Sequence, residues 1–123
     1  MTALLVAIGG GLGALCRYGT GIAVLRLFGP GFPIATILVN IVGSLAMGLL
    51  IGWMAKSGVS ANSTRLFWAT GFLGGFTTFS AFSLDFAVMW ERQAYQQAAV
   101  YAGGSVVLSL AAVFIGLWLA RLA

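Results

Sequence analysis

Between Gly71 and Ser83 the chain reads GFLGGFTTFSAFS, crowding glycines, hydroxyls and phenylalanines where the middle of a membrane-spanning helix should be. Gly71, Gly74 and Gly75 each weaken a helix by about 1 kcal/mol relative to alanine, and Thr77, Thr78, Ser80 and Ser83 offer partners to backbone groups that leave the helical ladder. In a bilayer such an interruption is tolerated only where protein buries it or a wet cavity lies beside it. The segment therefore predicts a helix broken near its middle, beside an ion or substrate site close to the bilayer midplane. Phe76, Phe79, Phe82 and Phe86 recur at spacings of three or four. On periodicity alone such a stripe faces lipid or core. In the alternative reading, ring edges carrying partial positive charge meet an anion in the ring plane, with Phe79 and Phe82 flanking the hydroxyl-rich stretch.

Three further sets of residues stand out. Thr36, Asn40, Ser44, Gly48 and Gly52 recur every four positions and so share one helix face. The small residues suit close helix packing, with Asn40 bonded across the interface. Asn40 also has a functional reading, because an amide costs several kcal/mol if unpaired in lipid and offers two donors to an anion without a competing carboxylate charge. Tyr101, Ser105 and Ser109 form a stripe that either lines a polar track or bonds back to its own helix. Gly9, Gly13, Arg17 and Gly21 form a close-packing seam interrupted by a cation. Arg17 either snorkels to the interface, pairs with carbonyls at a break, or draws anions toward a vestibule.

The elements that must carry these residues follow from composition. The chain has 123 residues, of which 61% are hydrophobic and 7% charged, and its mean hydropathy is +1.07, far more apolar than a soluble domain. Charge-free runs predict four spans of about 20 residues or more, roughly Ala3 to Leu25, Pro33 to Met54, Leu66 to Trp90 and Gln96 to Leu119. The fold class is an all-α integral membrane protein with one domain over residues 1–123. The opening run lacks the basic start of a secretory signal and continues past Arg17, so it reads as a retained helix.

Several function classes lack material. There is no histidine, Cys16 is the only cysteine, and the only acids, Asp85 and Glu91, lie together at one end of the third span. Hydrolytic or redox catalysis and an organic cofactor are therefore not expected, and the chain does not read as an enzyme. The net charge of +4 comes from scattered residues, which gives no groove-binding patch for nucleic acid.

Charge also bears on orientation. Lys56, Arg65 and Arg121 fall on one side of the membrane, and Arg26 and Arg92 on the other. With so small a bias the chain is expected to insert both ways round and to pair with a second copy of itself as an antiparallel dual-topology homodimer, since four helices enclose a polar pathway poorly. The plainer reading is a single orientation with the N-terminus in the cytoplasm. Trp53, Trp68, Trp90 and Trp118 lie near span ends, where they anchor to the interface of the lipid bilayer.

The run GGGLGALCRYGTG at Gly9 to Gly21, the Asn40-Ile-Val-Gly43 stretch and GFLGGFTTFSAFS together closely resemble the CrcB/Fluc family of fluoride channels, over essentially the whole chain. The resemblance implies a four-helix subunit, an antiparallel dimer with two pores, and passive export of fluoride ion from the cytoplasm across the cell inner membrane. By the same resemblance Asn40, Phe79 and Phe82 line the fluoride pore, and Ser80, Ser109 and Tyr101 continue the polar pathway. Backbone carbonyls of Gly74 and Thr77 from both copies would hold a structural Na+ at the dimer centre. Arg17 and Thr78 take supporting or vestibule roles. Asp85 stands where the family pattern leads us to expect a glutamate. A small multidrug-resistance-type proton-coupled transporter has similar length and span count, but it requires an acid in the first span, and this chain has none there. A non-transporting membrane scaffold would explain the small-residue seams and leave Asn40 and the third-span interruption without purpose.

Overall fold

The computed structural model describes residues 1–58 and 62–123. Among the described residues, four helices are long and apolar enough to cross a membrane: Thr2–Phe28, Ile34–Ser57, Ser63–Glu91 and Tyr95–Leu122. Among the described residues there is no strand. The first, second and fourth spans run three residues beyond the expected C-terminal limit and the third begins three residues before its expected start, each extension taking in a cation (Arg26, Lys56, Arg121 and Arg65) that ended the charge-free run. Arg26 lies in the last turn of the first span and Lys56 in the last turn of the second, where a cation complements the negative end of the helix dipole. The second span stops at Gly58, whose left-handed backbone (φ 67°) returns its amide to the Met54 carbonyl, a conformation that a residue with a Cβ adopts at a cost.

In lipid, apolar burial does not drive helices together, and close backbone approach and interhelical hydrogen bonds must do so. Two pairs form in this way. The first span packs on the early third span through Gly9 and Gly13: a Cβ on Gly13 would run into the Phe72 carbonyl and fall 2.8 Å from the Phe76 amide nitrogen. The second span packs on the fourth, where a Cβ on Gly48 would meet the Val113 carbonyl and fall 3.0 Å from Gly116 Cα. The expected seams are therefore real at Gly9, Gly13, Gly48 and Gly52, whereas a Cβ at Gly21 meets nothing and that residue lines an open cavity instead.

The pairs meet at the third span. Leu66–Leu73 is wound as a π-helix, followed by a short α turn at Gly74–Phe76. Thr77 and Thr78 are then both extended (ψ 161° and 125°) before the helix resumes at Phe79–Glu91. The interruption is confined to these residues, since the axis of the span bends only 14°. Thr78 caps the resumed helix, its Oγ1 accepting from the Ala81 amide at 3.1 Å. A buried cluster forms where the third and fourth spans meet, with Met89, Ala98 and Tyr101 buried and Phe82 and Phe86 packed against them.

Candidate functional site: a polar cavity beside the interrupted span

Asn40 sits on the second span opposite the interruption and grips it with two bonds. Its Oδ1 accepts from the Thr78 amide at 2.8 Å, and its Nδ2 donates to the Thr78 carbonyl at 3.0 Å. The expectation of an asparagine bonded across a helix interface holds in this form, and one of the two Nδ2 protons remains for another acceptor. Arg17 follows the carbonyl-pairing alternative: its Nε donates to the Gly75 carbonyl at 3.1 Å from the first span. Thr77 turns inward, its amide and its Oγ1 both donating to the Leu73 carbonyl.

Beside this junction lies a cavity of roughly 390 Å³ whose walls include Asn40, Ser44, Phe79, Phe82, Ser105 and Ser109. Its walls are mostly apolar side chains and backbone, with a few polar groups aimed inward. The hydroxyls of Ser105 and Ser109 are buried and have no hydrogen-bond partner. A buried hydroxyl without a partner forfeits on the order of 1–3 kcal/mol, and both hydroxyls lie just behind the cavity surface rather than open to it. The reading in which the serines bond back to their own helix is thus not what the structure adopts. Phe79 is 76% exposed and leans on Phe82, with ring centroids 5.5 Å apart. Phe82 in turn lies 5.2 Å from Tyr101, and Tyr101 lies edge-on to Phe32 at 5.6 Å.

The structure thus brings Asn40, Phe79, Phe82 and Ser109 to one cavity, with Thr77 and Thr78 in its wall. Two expected residues stand apart from it. Tyr101 is fully buried behind Phe82, and its hydroxyl donates to Asp85 Oδ2 at 2.9 Å. Ser80 is exposed and does not line the cavity, its Oγ lying 3.2 Å from Thr78 Oγ1. Asp85, which the sequence left without a role, accepts from Thr36 Oγ1 on the same Oδ2 at 2.9 Å, tying the second, third and fourth spans together. Ser105 is the lining residue that sequence reasoning did not single out for the site. Its place in the Tyr101, Ser105, Ser109 stripe was the available signal. A second cavity of about 500 Å³ opens beside Arg17, between Ile22, Leu25 and Val39, with Thr36 and Thr78 in its wall.

Among the described residues no cluster of three or more His, Cys, Asp or Glu side chains is placed to hold a metal. The interruption supplies carbonyls instead. In a regular helix the Gly74 carbonyl would accept from the Thr78 amide and the Thr77 carbonyl from the Ala81 amide. Here those amides donate to Asn40 Oδ1 and Thr78 Oγ1. Gly74 and Thr77 therefore present oxygens relieved of their helical donors, a donor set that suits a small hard cation and needs no acid.

Comparison with known proteins identifies the sequence family. Residues 4–117 match the family model of the CrcB-like proteins, described as Camphor Resistance (CrcB). The chain is 58% identical to the fluoride-specific ion channel FluC of Mesorhizobium japonicum over 118 residues, 96% of this chain and 94% of that protein. It is 55% identical to the protein of the same name from Hyphomonas neptunium over 119 residues, again 96% and 94% of the two chains. A third, from a Caulobacter species, is 51% identical over 119 residues, 96% of this chain and 93% of the relative. With a match that spans all four of its membrane helices, this chain is a multi-pass membrane protein and belongs to the CrcB-like family.

Proposed function

We propose that this protein is a fluoride-selective channel that lets fluoride leave the cytoplasm passively across the inner membrane. The observation that carries the reading is the cavity whose walls bring together Asn40, the rings of Phe79 and Phe82, and Ser105 and Ser109, whose buried hydroxyls have no partner. A small anion stripped of water needs N–H or O–H donors and electropositive ring edges, and must meet no carboxylate. The cavity offers those groups, and Asp85, the one acid nearby, is turned away and occupied by Thr36 and Tyr101. Ser109 and Ser105 lie one helical turn apart and carry the path along the fourth span. Tyr101 supports Phe82 from behind, and Ser80, on the opposite side of the interruption, belongs to the face that a second subunit completes.

The working form is an antiparallel dual-topology homodimer in which the third span acts as a broken helix at Thr77 and Thr78. The exposure of Phe79 and Ser80 on a single chain supports this, since a mid-span serine and a phenylalanine fronting a polar cavity call for a covering partner. A structural Na+ is held by the Gly74 and Thr77 carbonyls of both copies, neutralising oxygens that would otherwise be unpaired within the membrane. Arg17 supports the interruption through Gly75 and lines the wide cavity through which anions arrive. The chemistry is conduction and involves no covalent step.

Purified protein in fluoride-loaded liposomes tests this reading with a fluoride electrode. Fluoride should leave only when a potassium ionophore relieves the accumulating charge. Efflux that ignores the ionophore would point to a coupled exchanger, and no efflux at all would leave the scaffold reading standing.

A further inference from the structure

Asn40 stands between two systems. Its side chain lines the cavity that takes the anion, and it also makes both bonds that fix Thr78, the second of the two extended residues. By drawing the Thr78 amide to its Oδ1, Asn40 removes the donor that would close a helical turn onto the Gly74 carbonyl. By donating to the Thr78 carbonyl, it anchors the next peptide and holds the residue that caps the resumed helix. That cap diverts the Ala81 amide from the Thr77 carbonyl to Thr78 Oγ1. Both carbonyls assigned to the cation are therefore uncovered as a consequence of where Asn40 holds Thr78. The Gly75 carbonyl between them is taken by Arg17 and is not offered.

We propose that Asn40 is a positioning residue for the cation site as well as a lining residue of the anion path, so that the two sites share one side chain. The inference rests on the sodium reading given above. Without Asn40 the Thr78 amide is free to fold back onto Gly74, and the oxygens lose the placement a small cation requires. Anion-path residues that do not touch the backbone of the interruption lack this effect. Phe79 contacts the cavity only through its ring, so its replacement should reduce flux and leave the cation site intact.

The test is a sodium titration of the thermal unfolding midpoint of the purified full-length protein in detergent, with N-methyl-D-glucamine holding ionic strength. The native protein should be stabilised by sodium with a measurable half-saturating concentration. In Asn40→Ala that concentration should rise by roughly 10- to 100-fold, the usual penalty for losing a group that orients a metal's ligands. In Phe79→Ile it should not move. A purely structural role for Asn40 would lower the midpoint at every sodium concentration and leave half-saturation unchanged, and that result overturns the inference while sparing the sodium site. A native protein indifferent to sodium removes the cation site, and the inference with it. Should Asn40→Ala fail to accumulate, amide exchange on the native protein decides: the segment around Thr78 should exchange more slowly as sodium is added, and exchange there that ignores sodium while the midpoint rises refutes the linkage.

Discussion

Tyr101 donates its hydroxyl to a carboxylate oxygen that also accepts from Thr36, which makes Tyr101→Phe a well-defined perturbation. The ring is fully buried and keeps its contacts with Phe82 and Phe32 in the variant, so the change removes one hydrogen bond and little packing. A hydrogen bond to a charged group contributes on the order of 1.5–3 kcal/mol, and Tyr101→Phe should lose about 2 kcal/mol of that. Thr36→Val, nearly isosteric, should lose about the same. The two donors converge on Asp85 Oδ2, so either one alone still keeps that oxygen paired. Removing both leaves it with no partner in apolar surroundings, at a penalty of several kcal/mol. The double variant should therefore lose at least about 1 kcal/mol more than the two singles together, well outside the additivity of independent sites. Equilibrium unfolding in detergent, followed by tryptophan fluorescence, measures all four proteins of the cycle. Additive losses, or a Tyr101→Phe variant as stable as the parent, would refute the shared-acceptor arrangement.

Other outcomes follow from the same geometry. Gly13→Ala places a methyl against backbone atoms of Phe72 and Phe76 that cannot rotate away, and should destabilise the protein by about 1–3 kcal/mol or more in the same unfolding assay. Gly11→Ala, with open space around it, should be neutral there. Phe79→Ile and Phe82→Ile keep the bulk but remove the polarised ring edge, so liposomal fluoride flux should fall sharply while the protein remains folded. Unchanged flux in both would exclude the ring-edge role. Single cysteines at the termini, in a Cys16→Ser background, should be labelled by an impermeant reagent in part of the population in intact cells; complete labelling or complete protection would exclude dual topology.

The spans were legible because lipid demands long apolar runs, and four of them appear among the described residues with only the turns that carry a terminal cation underestimated. The glycine seams were legible because small residues every four positions on a membrane helix have few uses besides close approach. That reasoning failed at Gly21, which faces an open cavity, and composition carries no sign of it. Gly74, Gly75 and the hydroxyl run marked the place where Thr77 and Thr78 are extended. The π-helical winding before it, and an axis that bends only 14° where a broken helix was expected, had no counterpart in local composition. Asn40 could be singled out as an expensive residue in lipid. That much of its amide is spent on Thr78 depends on the lateral placement of the second span against the third, which periodicity does not encode. The bond from Thr36 to Asp85 spans 49 residues of chain, and nothing in the local context of either residue names the other. The family resemblance implies a pathway role for Tyr101 and Ser80, and the hydroxyl stripe of the fourth span adds to it for Tyr101. One proved to stand behind Phe82 and the other outside the cavity of its own chain.

The central claim is passive, fluoride-selective conduction, and the reversal potential reports it most directly. Purified protein in a planar bilayer, with a tenfold fluoride gradient and chloride equal on both sides, should carry current that reverses near the fluoride equilibrium potential. Reversal near zero would mean that chloride shares the path, and a bilayer that stays silent while fluoride still crosses would mean transport without net charge; either result contradicts a fluoride channel.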